Sequence, residues 1–198
     1  AIDLKCSVIN PIYSRYVIDL NRDFQGSILG ADNTELCPTS CFDYRPIYLE
    51  GEEPTQAEIQ ERISLYWVPY HQQVKAELQR IKAKHGVVIL YDAQSIRSHV
   101  PRFFEGQLPD LNLGTVDGQS CSREMEKALV RVAQSADNYT WVLNGRFKGG
   151  SITRHYTNPS ENIHTFQLEL SQITYMDEEN FTYTEEKAHS IKPILKQF

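Results

Sequence analysis

Three groups of polar residues stand where apolar runs end, and their types suit a small acidic ligand. Asp92, Gln94 and Arg97 follow the run 87–91, and Arg146, Lys148, Arg154 and His155 follow 139–143. Arg15, Asp19, Asn21 and Arg22 bracket a shorter apolar stretch near the start of the chain. Arginine offers a planar fork of donors that matches a carboxylate. In α/β proteins such groups collect where strands run out into loops. Glu169 is placed differently, inside the alternating segment Phe166-Gln167-Leu168-Glu169-Leu170. Alternation sets it on the face opposite Leu168 and Leu170, where a buried carboxylate is costly unless it is paired or used. Each loop arginine taken alone is better explained by solvation. His155 and His164 read as structural or exposed rather than as metal ligands, and His71 and His85, on a long helix, read as solvated. Asp19 reads as a holder of Arg22 or of a backbone amide.

Composition narrows the function classes. The 198 residues are 40% hydrophobic and 23% charged, ordinary for one globular α/β domain spanning 1–198. The net charge of −6 with no basic run argues against nucleic acid, whose phosphates need clustered Lys and Arg. No apolar stretch approaches the roughly 20 residues of a membrane span, and no signal peptide is visible. Cys37 and Cys41 have metal-pair spacing, but no second Cys or His pair follows. The four cysteines therefore read as reduced, structural thiols of a cytoplasmic protein.

The elements that must position these groups follow from periodicity. Residues 2–9 and 15–20 read as short strands, and 21–53 as a long loop of the kind that tends to be functional. Pro54 and Thr55 open a helix whose apolar positions, from Ile59 through Ile81, recur at three- and four-residue steps. Pro69 is expected to kink it and Gly86 to end it. The run 87–91 reads as a strand buried on both faces. A polar loop over 97–118, a helix over 122–136, strands over 139–143 and 163–170, and a closing helix over 184–196 complete an α/β order with a parallel or mixed sheet.

Several segments together resemble the N-formylglutamate amidohydrolase (N-formylglutamate deformylase) family. They are Ser14–Arg22 with its Asp-Leu-Asn-Arg element, Asp92–Ser98, Leu108–Gly114, Asn144–Tyr156 and Gln167–Gln172, in order over nearly the whole chain. The Asp-Leu-Asn-Arg element is also similar to that of aspartoacylases and succinylglutamate desuccinylases, relatives built like zinc carboxypeptidases. The resemblance implies a three-layer, carboxypeptidase-like (phosphorylase/hydrolase-like) mixed sheet flanked by helices. It also implies zinc-assisted hydrolysis of N-formyl-L-glutamate to L-glutamate and formate, in histidine degradation. Glu169 matches the general base and Arg15 the residue that steadies the oxyanion. Asn21 and Arg22 match the pair that grips one substrate carboxylate. Arg97, Arg146 and Arg154 are the candidates for the second.

Two departures stand beside the resemblance. The family carries histidine where this chain has Gln94, and an amide oxygen is a poor zinc ligand beside imidazole. The family's first metal-binding segment has no match, so the domain is expected to lack its N-terminal part. An exposed sheet edge, poor solubility and self-association are then expected. A non-catalytic descendant that binds an acidic metabolite, and a hydrolase of another N-acyl amino acid, are the rival readings.

Overall fold

Thr55 opens the long helical stretch with a reciprocal cap: its hydroxyl accepts from the Glu58 amide, and the Glu58 carboxylate accepts from the Thr55 amide at 2.8 Å. The computed structural model describes residues 4–23 and 35–198. Contacts divide the chain into two units, Ala1–Gly86 with Gly150–Ile152, and Val87–Gly149 with Thr153–Phe198.

In the first unit, α1 (Gln56–Arg62) runs through a wide π-helical turn (Ile63–Trp67) into α2 (Val68–His85). Pro69 was expected to kink this helix, and the wide turn is how the chain accommodates it. Proline lacks an N–H and crowds the carbonyl four residues back. Here the Val68 amide already reaches five residues back, to the Ile63 carbonyl. Gly86 ends α2 as expected, in the left-handed conformation at φ 76°, its amide bonded to the Lys82 carbonyl. Two expected strands are absent. Residues 4–9 form no strand (Ile2 and Asp3 lie outside the described residues), and 15–20 is a series of turns. The Val17 amide bonds back to Ser14 and the Arg22 amide to Asp19, so the chain curls where alternation suggested extension. Of the expected loop 21–53, residues 24–34 lie outside the described residues; the rest is irregular.

The second unit is built on a four-stranded mixed sheet in the order β1-β4-β2-β3, from β1 (Val88–Ile96), β2 (Leu111–Gly114), β3 (Trp141–Leu143) and β4 (Ile163–Ser171). β1 is parallel to β4, β4 antiparallel to β2, and β2 parallel to β3. One face is apolar. Phe166, Leu168 and Leu170 of β4 join Leu111 and Leu113 of β2 beneath α3 (Arg123–Gln134) and α5 (Glu185–Leu195), which contribute Leu129, Ala133 and Ile191. Each of these leucine, isoleucine and phenylalanine side chains contributes about 1.5–3 kcal/mol when fully buried. On β4 the opposite face carries Thr165, Gln167, Glu169 and Ser171, all buried. Two expectations are corrected here. Among the described residues β1 stands at the edge of the sheet, with Ile89 55% exposed, and is not a strand buried on both faces. The expected loop 97–118 contains β2, whose four residues are all buried but are too few to show a period. A small hairpin, β5 (Met176–Asp177) and β6 (Thr182–Tyr183), precedes α5, and a short helix α4 (Ser151–Tyr156) follows the glycine-rich segment after β3. No described helix is long and apolar enough to cross a membrane.

None of the four cysteines is in a disulfide. Burial raises the Cys121 thiol to about 11. The unfolded thiol ionises near its ordinary 9.0, so stability should fall as pH rises above 9 and level off past 11. Urea melts across that window should show a decline that is smaller in a Cys121→Ser variant, the raised tyrosines and Cys37 contributing the rest. Gly114 is also demanded by packing: a Cβ there would stand 2.6 Å from the Lys148 carbonyl carbon and 2.7 Å from the Gly149 nitrogen. Gly114→Ala should lower stability by about 1–3 kcal/mol in the same melts, since backbone must move to admit the methyl.

Candidate functional site

The first unit centres its cations on Asp19, which is 4% exposed. Its carboxylate accepts from Arg15 Nη2 at 2.5 Å and from the Asn21 amide at 3.0 Å, and Arg22 Nε lies 3.7 Å away. Arg15 is partly exposed and lies over the Phe42 ring. Burial is the main influence on Arg22 and lowers its pKa, while Asp19 opposes the shift. The loop that presents these groups is held by its carbonyls. Arg62 Nη1 donates to Val17 O at 2.9 Å, Trp67 Nε1 to Arg22 O at 2.9 Å, and His71 Nε2 bonds Leu20 O at 2.9 Å. His71, expected to be solvated, is thus buried and stacked on Trp67 at 3.8 Å. The π turn matters here: it lets Arg62 and Trp67, five residues apart, address the same loop as His71.

Asn21 is fixed by the returning segment Gly150–Ile152. The Ile152 amide donates to Asn21 Oδ1 at 2.9 Å, which leaves Nδ2 as the side chain's donor. Gly150 makes the approach feasible, because a Cβ at that position would fall 2.4 Å from Asn21 Nδ2. An amide donor next to a semi-buried guanidinium is a fitting receptor for a carboxylate.

In the second unit, β1 and β4 bring a polar row together. Gln94 is in register with Glu169, and Asp92 with Gln167, so their side chains leave the same face of the sheet. Glu169, 5% exposed, accepts from Gln167 Nε2 at 3.2 Å. Asn112 on β2 donates to the Glu169 carbonyl at 3.0 Å and to Pro109 O at 2.7 Å, locking the β2–β4 crossing. Gln94 Nε2 donates to Asp92 Oδ2 at 2.8 Å, and Thr153 Oγ1 donates to the same oxygen at 3.3 Å.

The three remaining arginines have separate local anchors. Arg97 donates to the Glu178 carbonyl and lies over Phe181, Arg146 donates to the Phe103 carbonyl at 2.6 Å, and Arg154 Nε donates to Gly149 O at 2.9 Å. Lys148 pairs with Asp117 at 3.0 Å. Among the described residues no group of three His, Cys, Asp or Glu side chains could hold a metal ion. The donors around Gln94 fit that finding. Its amide N–H₂ is engaged with Asp92, and one carboxylate with one amide oxygen is a poor set for zinc. Sequence reasoning missed Arg62, Trp67, Asn112 and Gln167. Of these, only Gln167 carried a signal, standing two residues before Glu169 on the same face of a strand.

A sequence model of the N-formylglutamate amidohydrolase family matches residues 1–176. An N-formylglutamate deformylase of Pseudomonas aeruginosa is 45% identical over 197 residues, 98% of this chain and 74% of the relative. One from Pseudomonas putida is 46% identical over the same shares. The crystal structure of an N-formylglutamate amidohydrolase from Ralstonia eutropha is similar with a TM-score of 0.74 at 25% identity, over 92% of this chain and 71% of that one. A gene product of Agrobacterium tumefaciens shares the fold, with a TM-score of 0.62 at 16% identity, over 93% of this chain and 66% of that one.

The Asp19 geometry generates a paired expectation for stability. Asp19→Ala removes the carboxylate nearest a largely buried guanidinium and should cost about 3–5 kcal/mol. Arg15→Ala removes a partly exposed partner and should cost under about 1 kcal/mol. Urea denaturation of the two variants checks the ranking.

Proposed function

We propose, for a chain that belongs to the N-formylglutamate amidohydrolase family, that its substrate is N-formyl-L-glutamate and its products are L-glutamate and formate. The observation that carries this reading is Glu169, a carboxylate held inside the sheet with a glutamine bonded to it and an amide side chain in register beside it. As the general base, Glu169 takes a proton from the attacking water as the water oxygen bonds to the formyl carbon. It returns that proton to the amine as the C–N bond breaks. Asn21 Nδ2 and Arg22 bind one substrate carboxylate, and Arg15 stabilises the oxyanion. Arg97, Arg146 and Arg154 are assigned to the second carboxylate on resemblance alone.

The family likeness also brings zinc, a carboxypeptidase-like layering of the sheet, a cytoplasmic setting and a place in histidine degradation into the proposal. When bound, zinc would polarise the formyl carbonyl and acidify water. The described side chains do not assemble a three-ligand set for it, so no step is routed through the metal. The Gln94–Asp92 hydrogen bond favours a second reading, in which the chain binds the acidic metabolite without cleaving it.

A formate-release assay with N-formyl-L-glutamate, run with and without added zinc and beside calorimetry of binding, separates the two. Hydrolysis that Glu169→Gln lowers by about 10²–10⁴-fold supports the enzyme. Binding that Asn21→Ala and Arg22→Ala abolish, with no formate released under either condition, supports the binder. Neither binding nor release overturns both.

A further inference from the structure

We propose that Trp67 is a positioning residue for the carboxylate receptor: its indole N–H fixes the backbone that carries the Arg22 guanidinium, and so sets how tightly the receptor holds its ligand. The proposal rests on the reading that Asn21 and Arg22 bind a carboxylate of N-formyl-L-glutamate. Trp67 Nε1 donates to the Arg22 carbonyl at 2.9 Å, across 45 residues of sequence. On the other side of the same residue, the Arg22 amide donates to the Asp19 carbonyl at 3.1 Å. Peptide units are planar, so bonding the units on both sides of Arg22 fixes its two backbone dihedrals. The direction in which the largely buried guanidinium leaves the chain is fixed with them.

The neighbouring peptide unit is built the same way. Between Leu20 and Asn21 the carbonyl is bonded to His71 Nε2 at 2.9 Å and the N–H to Asp19 Oδ1 at 3.0 Å. Arg22 Nη1 then donates back to the Asn21 carbonyl at 3.1 Å. Asn21 and Arg22 are adjacent residues whose side chains must present donors to one anion, so rotating either peptide unit would part them. Donors already in place bind an anion without first ordering a loose loop, and less opposes binding as a result.

Trp67 reaches the loop because of the π turn. In a regular α-helix, residues five apart diverge by about 140° around the axis, and Arg62 and Trp67 would face different ways. The turn Ile63–Trp67 is closed by a bond spanning five residues, which brings the two toward one face. Arg62 accordingly donates to the Val17 carbonyl at 2.9 Å, at the start of the loop whose end Trp67 holds. Beyond Trp67 the α phase resumes, and His71 stacks on the indole at 3.8 Å. Wide turns of this kind recur at functional sites. This one aims a donor at the backbone of a ligand-binding arginine.

The test follows ligand binding and the indole together, in a Glu169→Gln parent in which the proposed base is removed and N-formyl-L-glutamate is not consumed. The chain has two tryptophans, Trp67 and Trp141, so its nitrogen-15 spectrum holds two indole N–H signals. The Trp67 signal is expected to shift saturably with N-formyl-L-glutamate, at the midpoint that calorimetry gives, because coupling between the hydrogen bond and the ligand runs both ways. Trp67→Phe keeps an aromatic ring against His71 while deleting the N–H. It should weaken binding about tenfold, with a melting midpoint no more than about 4 °C lower. Should that variant fail to fold, the titration of the parent still decides: a Trp67 signal that stays fixed while the ligand binds overturns the proposal. So does Trp67→Phe binding as tightly as the parent while Arg22→Ala loses the ligand, and in that case the receptor reading stands. Arg22→Ala binding as tightly as the parent, or a parent that does not bind, overturns the receptor reading and the positioning role with it.

Discussion

The second unit depends on the two-residue period of β4. One set of its side chains supplies the apolar centre under α3 and α5, and the other set is polar yet equally buried. A slip of one residue would exchange the sets, placing Gln167 and Glu169 under the helices and Phe166 and Leu168 opposite. The pairing with β1 over nine positions, and the Asn112 bonds across to β2, hold that register from both sides. The cost of burying polar groups is met by bonding them in place: Gln167 to Glu169, Thr165 to the Thr153 carbonyl, Ser120 to the Thr165 carbonyl. The same register puts Gln94 beside Glu169, so the requirement that makes the core also composes the polar row.

The first unit solves a different problem, that of stiffening a loop with no sheet to lean on. Residues 17–22 make no ladder, yet three of their carbonyls are capped by side chains from one helical stretch. Asp19 then draws Arg15, Arg22 and the Asn21 amide around one carboxylate. The helix can reach the loop at Arg62, Trp67 and His71 because a wide turn changes its phase just ahead of Pro69. A proline that reads in the sequence as a fault in a helix is here next to the device that aligns three props.

Long periodic elements were legible. The stripe from Ile59, the cap at Gly86, the helix after Ser122 and the alternation around Glu169 all appear where periodicity put them. β2 was not legible, since four residues give no period, and its burial comes from lying between β4 and β3. The apolar run at 87–91 looked buried on both faces, but composition does not reveal a strand's place in a sheet, and among the described strands this one stands at the edge. In 15–20 local bonds overrode alternation: the Ser14 and Asp19 carbonyls accept from amides three residues on. The arginines were visible as residue types but not as an arrangement, because their anchors at Gly149, Phe103 and Glu178 are set by the fold. The Asp19 cluster was legible from residue types as Asp19 holding Arg22 or a backbone amide, and both contacts are present.

Gly150–Ile152 belongs with the first unit although the chain on both sides of it belongs with the second. The polypeptide therefore passes from one unit to the other three times, after Gly86, after Gly149 and after Ile152. No single cut in the gene yields the first unit whole. A product ending at Gly86 would keep the Asp-Leu-Asn-Arg loop and every prop beneath it, but Asn21 would lose the Ile152 amide that sets its orientation. In heredity as in folding, the Asp19 loop and the glycine-rich return are a single inseparable trait, joined by three residues encoded far from the rest.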